Sequence, residues 1–145
     1  MNEEQLKNLL EKVQSGEMAI GDAVETLRHL PFEDMGFARI DHHRQIRCGF
    51  PEVIYCPGKT TEHIVNIFEQ LAQKKHNVLA TRAEPEVFDA IRATGKFPNA
   101  EYDTLAKTIL LAQQAPDDTE DYIAIITAGT ADLPVAMEAQ VTAKA

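Results

Sequence analysis

Apolar residues in the first thirty positions recur every three or four places. Leu6, Leu9, Leu10 and Val13 form one such face, Ser15-Gly16 interrupts it, and Ile20, Ala23, Val24, Leu27 and Leu30 resume it up to Pro31. This spacing predicts a helical hairpin. After a loop from Pro31 to Gly36, the alternation in FARID (37–41) predicts a short strand. The segment HHRQIRCGFP (42–51) reads as a polar, basic crossing, and Val53–Cys56 as a second strand. Pro57-Gly58 supplies a turn and Thr60 an N-cap, while Ile64, Ile67, Phe68 and Leu71 give one apolar face to a helix reaching about Lys74. The order then repeats. Val78–Thr81 is a strand, Pro85 opens a helix with Val87, Phe88 and Ile91 on one face, and Gly95 ends it. Leu105–Leu111 fits strand or helix equally well. A polar loop, AQQAPDDTED (112–121), separates it from a third apolar run, Tyr122–Thr127, expected as a strand.

Strands alternating with helices predict an α/β fold: a leading helical hairpin, then a mainly parallel sheet with helices packed on it. The polar loop is the expected domain boundary, dividing the chain into 1–118 and 119–145. With 145 residues, 44% of them hydrophobic, the chain can bury a core. No apolar run approaches the roughly 18 residues of a membrane span, and the start MNEEQLKNLLEK lacks the basic flank and apolar core of a signal peptide. The expected location is the cytoplasm. A formal charge of −9 opposes non-specific attraction to nucleic acid or anionic lipid, so neither is an expected partner. Cys48 and Cys56 do not form a CxxC pair and are read as reduced thiols.

Gly58-Lys59-Thr60 invites comparison with a phosphate-cradling P-loop, but that pattern needs a glycine where Val53 stands, inside an expected strand. A turn followed by a helix cap explains the residues, with Lys59 kept as an anion contact at a helix start. His42 and His43 are adjacent on an extended segment, so their side chains point apart, and no ligand-spaced partner follows. No metal site is expected. In RQIRCGFPEVIYCPGKT (44–60), Arg44, Arg47 and Lys59 collect positive charge around Gly49, Pro51 and Gly58. Such a loop could bind a carboxylate or phosphate, or could pair with Glu52 and other acids across an interface. Both readings stay open.

In ITAGTADLPVA (126–136), Ala128, Gly129 and Ala131 admit a ligand close to the main chain and Thr130 adds a hydroxyl. A helix starting near Leu133, with Pro134 in its opening turn, would present unpaired N–H groups and the positive end of its dipole to a phosphate. Asp132 could cap that helix or accept hydrogen bonds from ribose hydroxyls. An ordinary strand-to-helix connection explains the same residues.

Together, RCGFPEVIYCPGKTTEHI (47–64) and IITAGTADLPVAMEA (125–139) resemble the N-terminal region of the LarB family of nickel-pincer cofactor biosynthesis proteins. In these an α/β domain precedes a domain similar to PurE, the aminoimidazole ribonucleotide carboxylase. The resemblance implies carboxylation of the pyridinium ring of nicotinic acid adenine dinucleotide with CO2 or bicarbonate. It also implies hydrolysis of the phosphoanhydride, giving pyridinium-3,5-biscarboxylic acid mononucleotide and AMP. It further implies a cysteine nucleophile beyond Ala145, no covalently bound cofactor, a homo-oligomer when intact, and a phosphate-ribose loop at Gly129, Thr130, Ala131 and Asp132. Magnesium is compatible with such a substrate, though no residue pattern specifies its ligands. Ala131 departs from the serine of PurE-type loops, and Met137 from an acidic residue expected before Glu138. Residues 119–145 then read as the first strand, loop and helix of a PurE-like, Rossmann-like domain, and the chain as truncated. Two other functions remain in view: an aminoimidazole ribonucleotide carboxylase-like enzyme, and a non-catalytic α/β binding or assembly module. The 145 residues alone are expected to be inactive; mass-spectrometric detection of the biscarboxylated mononucleotide after incubation with the purified chain would contradict that expectation.

Overall fold

The computed structural model describes residues 3–28, 32–34, 36, 39–41, 44, 50–115 and 122–145. They divide into two units, Met1–Glu52 and Val53–Ala145. In the first, helices α1 (Glu3–Gln14) and α2 (Ile20–Arg28) bury Leu9 and Ala23. Gly16, at φ 81°, makes the reversal between them, a conformation costly for any residue with a Cβ. Ser15 donates its hydroxyl to the Lys12 carbonyl at 3.1 Å and so covers one of the carbonyls the helix end leaves open. A two-stranded antiparallel ribbon follows, β1 (Phe32–Asp34) with β2 (Arg39–Asp41), Phe32 opposite Asp41. β1 falls where Pro31 and Gly36 predict a loop. Its acidic sequence carries no strand signal of its own, and pairing with β2 makes it one.

The second unit contains β3 (Val53–Tyr55), α3 (Thr61–Ala72), β4 (Val78–Thr81), α4 (Pro85–Ala93), β5 (Ala100–Asp103), β6 (Thr108–Leu111) and, after a 3-10 turn at Thr130–Asp132, α5 (Leu133–Lys144). The four strands form one sheet in the order β3-β4-β6-β5. β3 pairs with β4 in parallel, whereas β6 pairs antiparallel with both β4 and β5. The sheet is therefore mixed, not mainly parallel. Helical crossovers do keep β3, β4 and β5 pointing one way, as strand-helix alternation requires. The difference is β6, which returns through a four-residue turn and inserts between β4 and β5. That turn is set by Asp103, whose carboxylate accepts from the amides of Leu105 (2.9 Å) and Ala106 (2.8 Å), with Lys107 at φ 51° completing it. Leu105 sits exposed in the turn, and the ambiguous 105–111 stretch resolves into turn plus strand.

Residues paired across strands share a sheet face. Ile54, Ala80, Ile109 and Tyr102 fall on one face through the observed registers. Phe88 of α4 stacks on Tyr102, ring centroids 5.4 Å apart, so α4 covers that face, and α3 packs beside it. The core lies between: Ile64, Ile67, Phe68 and Leu71 from α3, Val87 and Ile91 from α4, and Val78, Ala80 and Ile109 from the sheet. Phe68 is fully buried and meets Phe97 edge-on at 5.4 Å. Thr60 caps α3, its hydroxyl accepting from the His63 amide at 3.2 Å, and Pro85 opens α4.

β4 is buried along its whole length. Asn77, just before it, donates to the Ala145 carbonyl at 2.7 Å, and Arg82, just after it, pairs with Glu138 at 3.4 Å. These two contacts lay α5 along β4 in the opposite direction. Because α3 and α4 occupy one face, α5 takes the other, which carries Leu79, Thr81 and Thr108. Ala136, Met137, Glu138, Val141 and Ala145 are its half-buried stripe.

Tyr122–Thr127, expected as a strand, enters no ladder. Tyr122 and Ile126 are each 90% exposed. A strand exists only through a partner, and β-branched residues alone do not supply one. Among the described residues no helix is long and apolar enough to cross a membrane.

The Thr108 hydroxyl is buried with no hydrogen-bond partner among the described residues. Thr108→Val is expected to leave stability unchanged or raise it by up to about 1 kcal/mol, since it removes an unsatisfied polar group at nearly constant shape. Phe68→Ala should cost about 3–5 kcal/mol through lost transfer energy and a cavity. Urea denaturation of the three proteins checks both signs.

Candidate functional site

The carboxyl ends of parallel strands and the amino ends of the helices that follow meet at one edge of a sheet, where α/β folds place ligands. Here Tyr55 ends β3 opposite Thr81, which ends β4. The ladder runs one bond further, the Cys56 amide donating to the Thr81 carbonyl at 3.1 Å. The chain then turns through Pro57 and Gly58 (φ 80°), with the Lys59 amide closing onto the Cys56 carbonyl at 3.0 Å. Lys59 folds its ammonium back to the Tyr55 carbonyl at 2.7 Å, which holds a positive charge against the strand end.

The β4–α4 turn supplies a second cation, which the sequence reading did not single out. Arg82 adopts φ 50°, a left-handed conformation uncommon for a residue with a long side chain. Its guanidinium lies 5.5 Å from the centre of the Tyr55 ring, with one terminal nitrogen 3.4 Å from the Tyr55 hydroxyl and Nε 3.4 Å from Glu138. Tyr55, half-exposed, is thus contacted by Lys59 at its carbonyl and by Arg82 at its ring. A basic residue between a strand and a proline-opened helix is a visible signal, but only the turn geometry brings it to Tyr55.

Next to this pair the edge is braced. The Ala83 amide donates to the Lys107 carbonyl (2.8 Å), the Tyr102 hydroxyl donates to the Ala83 carbonyl (3.0 Å), and the Lys107 ammonium holds both oxygens of Glu84 (2.9 and 3.1 Å). Glu84 raises the Lys107 ammonium above its ordinary pKa through that hydrogen bond and its charge. The Tyr102 phenol is also raised, by burial first and by the nearby Glu84 charge second. Glu84 is thereby committed to Lys107.

Cys56 is buried, with its thiol 4.0 Å from the Ile54 carbonyl. Burial pushes its pKa up to about 11, against a smaller opposing effect of Lys59. Such a thiol is a small core residue and a poor nucleophile. Arg47, Cys48, His42 and His43 lie outside the described residues; Arg44 is exposed. Among the described residues, no group of three or more His, Cys, Asp or Glu side chains gathers to hold a metal.

Gly129, Thr130, Ala131 and Asp132 form one continuous exposed turn leading into α5. Asp132 does not cap the helix. It sits in helical conformation (φ −88°, ψ −8°), which aims its carboxylate away from the following amides, and one oxygen lies 3.4 Å from the Thr127 hydroxyl. The 3-10 turn also spends two amides internally, Asp132 onto Gly129 (3.1 Å) and Leu133 onto Thr130. Fewer free donors face outward than a helix starting directly at Leu133 would offer. Above Gly129 there is room: a Cβ there would meet its nearest atom, an Asp132 oxygen, at 3.7 Å. An open depression at the opposite edge of the sheet, lined by Phe97, Asn99 and Gln113, has Lys96 as its cation, and Glu69 holds that ammonium at 2.8 Å.

Residues 32–114 match the family model for the LarB/PurE-like N-terminal domain, more than half of the chain. The chain belongs to this family. The match contains Tyr55, Lys59, Arg82 and Lys107, and ends before the Gly129–Asp132 turn. An uncharacterised protein of Methanocaldococcus jannaschii, MJ0165, is 30% identical over 142 residues, covering 94% of this chain. The chain spans 56% of that protein's length.

The folded-state pKa of Cys56 lies above its ordinary value of 9.0, so folding favours the neutral thiol. Stability from this group is full below pH 9.0 and falls as pH rises toward 11, the unfolded thiol ionising first. Cys56 is expected to resist iodoacetamide at pH 8 in the folded chain and to react in denaturant. Peptide mass mapping, which separates it from Cys48, checks this.

Proposed function

We propose that the chain forms the N-terminal part of a nickel-pincer cofactor biosynthesis enzyme. In this reading the intact protein carboxylates the pyridinium ring of nicotinic acid adenine dinucleotide with CO2 or bicarbonate. It also hydrolyses the phosphoanhydride, releasing pyridinium-3,5-biscarboxylic acid mononucleotide and AMP. The family match over 32–114 is the observation that carries the reading.

The chemistry sets demands on the residues. A cationic ring does not attack CO2; a thiolate must first add to it, making an enamine-like carbon that can, and must leave again once the ring proton is lost. Cys56, neutral and buried, is unsuited to that role, and the nucleophile in this reading belongs to the remainder of a longer protein. The substrate carries several negative charges, and the chain carries −9. Binding therefore requires local cations, and Lys59 is the described candidate from the basic loop. Gly129, Thr130 and Ala131 would take a phosphate. Asp132 would turn its carboxylate from the Thr127 hydroxyl to a ribose. The family's assembly would make the intact protein a homo-oligomer.

A purine-pathway carboxylase acting on aminoimidazole ribonucleotide draws support from the Gly129–Asp132 turn alone. An assembly module draws support from the exposed run at Tyr122, Ile123 and Ile126. Calorimetric titration separates the three. Nicotinic acid adenine dinucleotide and AMP are expected to bind and aminoimidazole ribonucleotide is not. Binding of the last alone would move the assignment to the purine pathway, and binding of none would favour assembly.

A further inference from the structure

α5 covers its sheet face without burying a residue of its own. None of its twelve residues is buried, whereas α3 buries Ile64, Ile67, Phe68, Leu71 and Ala72, and α4 buries Val87 and Ile91. In its half-buried stripe, Ala136, Met137, Glu138, Val141 and Ala145, only Met137 and Val141 are large and apolar. Little apolar area holds it in place. Its lead-in adds no anchor, since Tyr122–Thr127 enters no ladder and the Thr127 hydroxyl turns to Gly129 and Asp132 of the following turn. The side-chain ties to β4 are Asn77 onto the Ala145 carbonyl and Arg82 onto Glu138, whose side chain is 20% exposed.

The face beneath works against the contact. Thr108 is 1% exposed there, and its hydroxyl has no hydrogen-bond partner among the described residues. Thr81, one step beyond the Ala80–Ile109 pair of the same ladder, is buried beside it. A hydroxyl taken from water with no bond in exchange destabilises the covered state, and water returns to it once the cover is gone.

We propose that α5 is a releasable cover, which opens from the β4–β6 face while the sheet, α3 and α4 stay folded, and that the Thr108 hydroxyl biases it towards opening. A helix of twelve residues is marginal in water without packing, so α5 unwinds as it leaves and its amides meet solvent. Opening bares Leu79, Thr81 and Thr108 on a face where Val53 and Tyr55 are already exposed beside them. The release does not depend on which reaction the intact protein performs.

The test is amide hydrogen exchange of the full 145-residue chain, followed residue by residue by NMR. Amides of α5 should be protected, but at least ~100-fold less than those of β4, β6 and α3, because local opening requires less free energy than global unfolding. Ile91→Val, a mild cavity under the opposite face, should lower protection in the core by roughly 2- to 12-fold and leave α5 unchanged. Thr108→Val should raise protection in α5 by roughly 2- to 5-fold, since the closed state no longer holds an unsatisfied hydroxyl. Loss of α5 protection in step with the core in Ile91→Val would show that the helix leaves only with global unfolding, and overturns the proposal. So does an α5 no better protected than an unstructured chain, which would never be closed. Thr108→Val leaving α5 unaltered overturns the role of that hydroxyl.

Discussion

Everything in the second unit depends on β4 being dry on both faces. Its four residues are buried, it is hydrogen-bonded on both edges, and helices lie above and below it. A strand in that position can hold only apolar or satisfied groups, so polarity is driven to the residues immediately outside it. Asn77 and Arg82 are those residues. The Asn77 amide is used at both ends, accepting from the amides of Gln113 and Gln114 and donating to Ala145. Arg82 carries the charge that Val78–Thr81 cannot. The structural ties and the candidate chemistry therefore arise from one constraint.

The same constraint explains the strain at that edge. Arg82 and Lys107 both adopt left-handed conformations, and the chain between them is closed by the bond from Ala83 to the Lys107 carbonyl. Each such residue costs on the order of 1 kcal/mol or more. The neighbouring contacts offset this: Tyr102 onto Ala83, Lys107 onto Glu84, and Arg82 over Tyr55. The result is a turn whose two cations have fixed directions. One is committed to Glu84 and the other is held loosely.

Much of this was legible in the chain. Thr60, Pro85 and Gly95 mark helix limits through backbone chemistry that acts over a few residues, and the structure uses them for that. Lys59 was visible because a lysine beside Gly58 and Thr60 stands at a helix start. Arg82 was not, because its meaning comes from Tyr55, twenty-seven positions earlier. β1 and β5 were missed for a related reason: short stretches rich in acidic residues, FED and AEYD, become strands only when a partner arrives. Tyr122–Thr127 failed in the opposite sense, with strong strand propensity and no partner. The capping role considered for Asp132 failed because a preceding 3-10 turn changed its backbone conformation.

Sequence by itself determined the helices, the strand-helix alternation, the α/β class and, over residues 32–114, the family resemblance that the family match bears out, since each rests on periodicity, local conformation or contiguous motif. Tertiary structure decided which strand β6 joined, which face α5 covered, and that Arg82 meets Tyr55 and Glu138. Those are pairings between distant residues. Hydrogen bonding and burial favour many such pairings equally along a chain, and only the closed sheet, with β4 at its centre, selects among them.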